Sequence, residues 1–231
     1  MGSILITGAN RGIGFEFTKQ YYEAGWRVFA CCRDIAADNA RDLNMLGISS
    51  KYVTVHQLDV SKNEEIEALA GTLAPEAIDV IINNAGVNGP KQPFGKTDYE
   101  LWAASMAINV FGPMKIAESF VEHVARSERK VIATVSSRMG SIELASGDKH
   151  HTYRSSKAAV NMVTKCIADY VAERGITTVA FSPGWVKTDM GGPGAPIEPT
   201  ETVSGMRKLI EELAPADTGK FLHFDGTELP W

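Results

Sequence analysis

The sequence predicts an α/β fold: a doubly wound, mostly parallel seven-stranded sheet with helices on both faces, in one domain spanning residues 1–231. Three observations predict it. Short apolar runs alternate with helical patterns along the chain. The apolar runs are mostly continuous rather than alternating, as strands covered on both faces are. A glycine-rich turn, "TGANRGIG" at Thr7–Gly14, joins the first such run to the first helical pattern.

The strands are expected at 3–8, 27–32, 51–58, 78–83, 130–137, 176–182 and 219–224, and the helices at 12–24, 35–45, 62–73, 97–126, 152–174 and 200–213. The turn after the first strand carries Gly8, Gly12 and Gly14, spaced G-x-x-x-G-x-G. Glycine there lets backbone approach a pyrophosphate, and the helix N-terminus adds unpaired N–H groups and positive partial charge. The second strand ends at Cys32 and is followed by Arg33 and Asp34, so candidates of both signs stand where a ribose 2′ substituent would be read. Arg11 lies on the same side; two arginines outweigh one acid, which favours NADP over NAD. Asp59 follows the third strand and reads as a helix cap. "NNAG" closes the fourth strand at Asn83–Gly86. Asn109 interrupts an otherwise apolar helix pattern with Trp102, Met106, Ile108, Phe111 and Met114, and reads first as a hydrogen-bonded core asparagine. The fifth strand ends at Ser136 and Ser137, where ligands sit in open α/β sheets.

The next helix contains Tyr153 and Lys157, four residues apart and so on one face. A free tyrosine has a pKa of about 10, and lowering it to about 7 takes roughly 4 kcal/mol. An ammonium about 4 Å away at an effective dielectric of about 20 supplies about 4 kcal/mol. Lys157 therefore has the right size of effect to make Tyr153 a proton donor and acceptor near neutral pH. The sixth strand runs into "SPGWVKTDM", and "GGPGAPIEP" at 191–199 joins it to the last helix.

Bulk properties exclude several classes. The net charge is −5, which offers no general attraction to nucleic acid or anionic membrane. No 18-residue apolar run suggests a membrane span, and the N-terminus reads as neither a signal peptide nor a lipidation motif. Three cysteines, two of them adjacent in an apolar run, point to core packing and a reducing, cytoplasmic compartment. His150 and His151 lack partners at ligand spacing, so no metal is expected.

The glycine spacing, "NNAG", "IN" at Ile108–Asn109, "VSS" at Val135–Ser137, Y-x-x-x-K and "SPGWVKTDM" occur in one order from residue 7 to residue 190. This ordered set resembles the short-chain dehydrogenase/reductase family. "SRMGS", "SPGWVKTDMGGPGAP" and the ending "GTELPW" resemble its subgroup of carbonyl reductases, Sniffer-type enzymes and C-factor-type developmental proteins. The resemblance implies a Rossmann-type, NADPH-dependent reductase of aldehydes and ketones. In it Tyr153 is the general acid/base, Ser137 rather than Ser136 holds the substrate oxygen, Lys157 also binds the nicotinamide ribose, and Asn109 anchors a water linking Lys157 to solvent. It gives Gly8, Asn10, Arg11, Gly12, Ile13, Gly14, Arg33, Asp59, Val60, Asn83, Ala85 and Gly86 to the adenosine and phosphate side of the cofactor. Pro183, Gly184, Val186 and Thr188 go to its nicotinamide end. Met139, Leu144 and Trp185 are candidate substrate contacts. The loop from Ser137 to Tyr153 is longer than usual and the 191–199 segment shorter, which implies an open site. A homodimer or homotetramer is expected. The alternative from the same subgroup is a signalling protein that keeps the fold and acts through partners. An epimerase or dehydratase is disfavoured, since those relatives need an extended C-terminal region.

Overall fold

In the computed structural model, which describes residues 1–89, 91–146 and 149–231, seven strands form one sheet. They are β1 (Ser3–Thr7), β2 (Arg27–Cys32), β3 (Val53–Gln57), β4 (Val80–Asn83), β5 (Val131–Val135), β6 (Thr177–Ser182) and β7 (Lys220–His223). Their spatial order is β3-β2-β1-β4-β5-β6-β7, and every pairing is parallel. The order reverses between β1 and β4, so their carboxyl ends leave a crevice in which ligands of such sheets bind.

The residues of β1, SILIT, are all buried, because helices cover both faces. Successive side chains serve opposite layers. Ile4, Ile6, Val80 and Ile82 pack with Phe17 of α1 (Gly12–Glu23), Leu43 of α2 (Arg41–Ser49) and Met206 of α7 (Pro199–Glu212). Leu5, Phe29, Ile81 and Ile132 pack with Ile66 of α3 (Asn63–Thr72), Phe120 of α5 (Gly112–Ala125) and Ile167 of α6 (His151–Val171). Cys31 and Cys32 are both buried, one in each layer.

Two helices depart from the sequence pattern. The second was expected at 35–45, but α2 begins at Arg41 after a single tight turn at Asp38–Ala40. Asp34 Oδ1 accepts from Ala36 N at 2.9 Å, and Asn44 Nδ2 donates to Ile35 O at 2.7 Å. These local bonds satisfy the backbone outside a helix. The long pattern at 97–126 becomes α4 (Tyr99–Met106), a π-helical turn at Ala107–Phe111, and α5. Pro113 has no N–H to give to the carbonyl of Asn109, four residues back, and the wider turn accommodates that gap. Among the described residues, no helix is long and apolar enough to cross a membrane.

Phe120 is fully buried between α5 and the sheet. Phe120→Ala is expected to lower unfolding stability by about 3–5 kcal/mol, measured as a shift of the urea midpoint with an unchanged m-value.

Candidate functional site

The site begins at the β1–α1 turn. Gly8 (φ +64°) and Gly12 (φ +53°) occupy the left-handed region. A Cβ on Gly14 would stand 2.1 Å from Gly8 O and 2.5 Å from Asn84 Nδ2, so only glycine fits there. Asn84 Nδ2 donates to Thr7 O at 2.9 Å and to Gly8 O at 3.0 Å. In return, Thr7 Oγ1 accepts from Asn84 N and Ala85 N, each at 3.0 Å. The segment after β4 is thus fastened to the glycine turn. No side chain caps the N-terminus of α1, and its first turn carries no acidic residue. That end keeps its positive partial charge.

From this turn a cleft of about 370 Å³ runs across the carboxyl ends of the strands. Of the expected residues, Gly8, 10–14, Arg33, Asp59, Val60, Ala85 and Gly86 line it, together with Tyr153, Lys157, Pro183 and Thr188. Asn83 does not. It ends β4 on the same side as Ile81 and is only 3 % exposed. The cleft residue is Asn84, one position on. Strand alternation gives the two asparagines opposite sides, so a one-residue difference decides which meets the cleft.

Both arginines lie on the cleft, in different company. Arg11 Nη1 is 2.9 Å from Asp189 Oδ2, across the opening. Arg33 is close enough to Asp59 to help hold that carboxyl down. Burial works to raise Asp59, but hydrogen bonds from Ser61 and the charges of Arg33 and Lys62 keep it below the usual carboxylate range. Asp59 does not cap α3; it accepts from Ser61 N (3.0 Å) and Ser61 Oγ (2.7 Å), and Lys62 occupies the cap position. Asn10 Nδ2 donates to Asn39 Oδ1 at 2.8 Å. Asn39 and Asp189 also line the cleft, and the sequence reading missed both. Only the fold brings them there, from a turn before α2 and from the segment after β6.

At the other end, α6 lays Tyr153 and Lys157 beside the end of β5. Ser136 Oγ donates to Asn161 Oδ1 at 2.5 Å and is committed to the α6 contact. Ser137 stands close enough to the Tyr153 phenol to oppose the rise of its pKa, and its Oγ accepts from Met139 N at 3.1 Å. Asn109 Oδ1 accepts from Val87 N, and its Nδ2 donates to Val87 O and Ser156 Oγ, all at 2.9 Å. A Cβ on Gly86 would lie 3.3 Å from Asn109 Oδ1 and 3.6 Å from Lys157 Nζ. The asparagine therefore clasps the strand-end segment next to the lysine.

The expected depression of Tyr153 by Lys157 is not what this geometry gives. Lys157 Nζ donates to Val135 O at 2.9 Å and lies 5.8 Å from the Tyr153 ring centre. Burial pushes the Tyr153 phenol up to about 12, against the opposing effect of Ser137. Burial pulls the Lys157 ammonium down to about 8. Desolvation of each group exceeds their mutual attraction.

The remaining expected contacts are not among the residues that line this cleft. Trp185 is 59 % exposed and its Nε1 donates to Gly191 O at 2.8 Å. Val186 is buried and bridged to Ile197. Gly184 (φ +79°) packs against Ile197 and Phe224. Met139 and Leu144 sit half-buried on the loop from Ser137 toward Tyr153, of which residues 147 and 148 lie outside the described residues.

Residues 3–196 match the short chain dehydrogenase family model. The chain belongs to the short-chain dehydrogenase family. C-signal of Myxococcus xanthus is 37 % identical over 166 residues, covering 72 % of this chain and 100 % of that protein. Two solved structures superimpose with a TM-score of 0.93. One is the NADPH-bound carbonyl reductase from chicken fatty liver, 32 % identical over 99 % of this chain and 98 % of the other. The second is the carbonyl reductase Sniffer of D. melanogaster, 27 % identical over 100 % of both chains.

The lowered Lys157 gives this short-chain dehydrogenase a pH signature. Between about 8 and the ordinary 10.5 the folded chain has released a Lys157 proton that the unfolded chain still holds, so the contribution of Lys157 to stability rises with pH across that window, while the buried Cys31 and Cys32 thiols, pushed up by burial, work the other way over its upper part. Below it, the buried ammonium is a cost. Lys157→Met is expected to raise the unfolding free energy at pH 7 by on the order of 1–3 kcal/mol less the loss of the Val135 bond, seen as a higher urea midpoint. The advantage of the variant over the wild type should shrink between pH 8 and 10.5. Denaturation at a series of pH values checks both.

Proposed function

We propose that this chain is an NADPH-dependent carbonyl reductase that reduces aldehydes or ketones, with Tyr153 as general acid. One observation carries the reading: Tyr153 and Lys157, with Ser137 close to the Tyr153 phenol, stand at one end of a cleft whose other end is an uncapped, glycine-lined helix N-terminus. That cradle, which a Cβ on Gly14 would fill, fits the pyrophosphate of a dinucleotide. Arg33 and Arg11 on the cleft wall support a 2′-phosphate, while Asp34 is engaged in its own turn through Ala36 N. The likeness to an NADPH-bound carbonyl reductase supports the same choice.

Bound NADPH supplies a hydride to the carbonyl carbon. The chain supplies the proton and holds the oxygen. With its pKa at about 12, Tyr153 is a neutral phenol at pH 7, the form required to donate a proton as negative charge grows on the substrate oxygen. Ser137, beside the Tyr153 phenol, shares that oxygen and stabilises the developing charge. The tyrosinate left behind lies near Lys157, whose ammonium holds its proton loosely, with a pKa of about 8. Asn109 is a positioning residue that fixes Val87 and Ser156 around the lysine. The reading extends to a cytoplasmic homodimer, supported by buried free thiols at Cys31 and Cys32 and by exposed Phe111, Met162 and Tyr170 on the α4–α6 side.

A second reading is favoured by the match to C-signal along that protein's whole length: a signalling protein that binds the dinucleotide and acts through partners. Turnover separates the two. NADPH oxidation with aromatic aldehydes, quinones and diketones is expected for the wild type. In Tyr153→Phe it should fall about 10²–10⁴-fold with the NADPH Kd unchanged. Dinucleotide binding without turnover on any carbonyl would favour the signalling reading. Arg33→Ala should weaken NADPH about ten- to a hundred-fold while barely changing NADH, the loss of one charge-assisted bond; steady-state kinetics with both coenzymes measures it.

A further inference from the structure

The chain beyond β7 does not drift away from the sheet. It turns at Gly226 (φ +92°) and returns antiparallel, with Leu222 bridged to Glu228 and Leu229 N donating to Phe221 O at 2.8 Å. The return brings the Trp231 ring onto Phe221, with ring centres 5.4 Å apart and planes 24° from parallel. Phe221 is fully buried, so this is a fixed support. Lys165 of α6 sets its Nζ 5.7 Å from the centre of the same indole.

The main-chain oxygen of Trp231 is then used three times by a single turn of another loop. It accepts from Ile142 N at 2.9 Å, Glu143 N at 3.2 Å and Ser141 Oγ at 3.1 Å. Ser141 Oγ in turn accepts from Leu144 N at 3.1 Å. Ser141 is 1 % exposed, whereas Ile142 is 76 % exposed and Glu143 is also exposed. The turn therefore has little apolar anchorage of its own at its tip. It begins four residues after Ser137 and carries Leu144.

We propose that Trp231 is a positioning residue for the substrate mouth. Its ring, seated on Phe221, holds its main-chain oxygen where it orders the 141–144 turn, and that turn selects which carbonyl compounds reach Ser137 and Tyr153. The selection half rests on the reductase reading; the ordering half does not.

Trp231→Ala and Trp231→Phe in the full chain test both halves. Amide hydrogen exchange at Ile142 and Glu143 should quicken about ten-fold or more in the alanine variant and return near wild type in the phenylalanine variant, which keeps a ring on Phe221. The KM for a bulky aromatic ketone should change at least about five-fold in Trp231→Ala. The kcat, the NADPH Kd and the KM for a small aliphatic aldehyde should stay within about two-fold, and Trp231→Phe should restore the ketone KM. Unchanged exchange in Trp231→Ala overturns the ordering role. Equal KM changes for both substrates, or no change, overturn the selection role. So does a joint fall in kcat, NADPH affinity and melting temperature. If the wild type reduces no carbonyl, the reductase reading fails and takes the selection role with it, while the exchange rates still decide the ordering role.

Discussion

The site depends first on the close approach of two chain segments at the carboxyl ends of β1 and β4. Gly14 lies so near Gly8 that no side chain can separate them, and Asn84 bonds to both Thr7 and Gly8. This staple sits where the strand order reverses. It sets the floor of the cleft, the aim of the α1 N-terminus and the starting point of the segment that reaches Gly86 and Val87. If that approach opened, the glycine turn would lose its shape and the Asn109 clasp on Val87 would lose its target.

A second constraint is burial of the reacting groups. Tyr153 and Lys157 are both nearly removed from water, and each is thereby held in its uncharged form more firmly than in solution. Stability alone would not choose a lysine there. Its hydrogen bond to Val135 offsets part of the cost, and Gly140 makes room: a Cβ there would lie 2.7 Å from the Lys157 backbone. The loop after β5 is thus shaped around the lysine as well as around the serine.

Much of this was legible in the sequence because it depends on short-range spacing. Tyr153 and Lys157 share a helix face wherever that helix is placed, and the strand-ending serines mark the crevice of any parallel sheet. What stayed hidden depends on a single residue of register or on distant partners. Asn83 and Asn84 are indistinguishable until the last residue of β4 is known. Asp189 and Asn39 become cleft residues only when the segments that follow β6 and β2 are brought to the glycine turn. The electrostatic argument failed for a related reason: helical spacing gave the Tyr153–Lys157 proximity, but the burial that sets both groups comes from the elements packed around α6.

The π-helical turn at Ala107–Phe111 bears on how such a chain can vary in length. A turn of this kind holds one residue more than an ordinary α-helical turn, while the helices on either side keep their faces. A single deletion there would narrow the turn to α-helical width and leave Pro113 inside a continuous helix, its ring against the carbonyl four residues back. Asn109 would leave its place beside Val87 at the same time. The extra residue therefore serves scaffold and site together, and a chain that lost it would have to lose the proline as well.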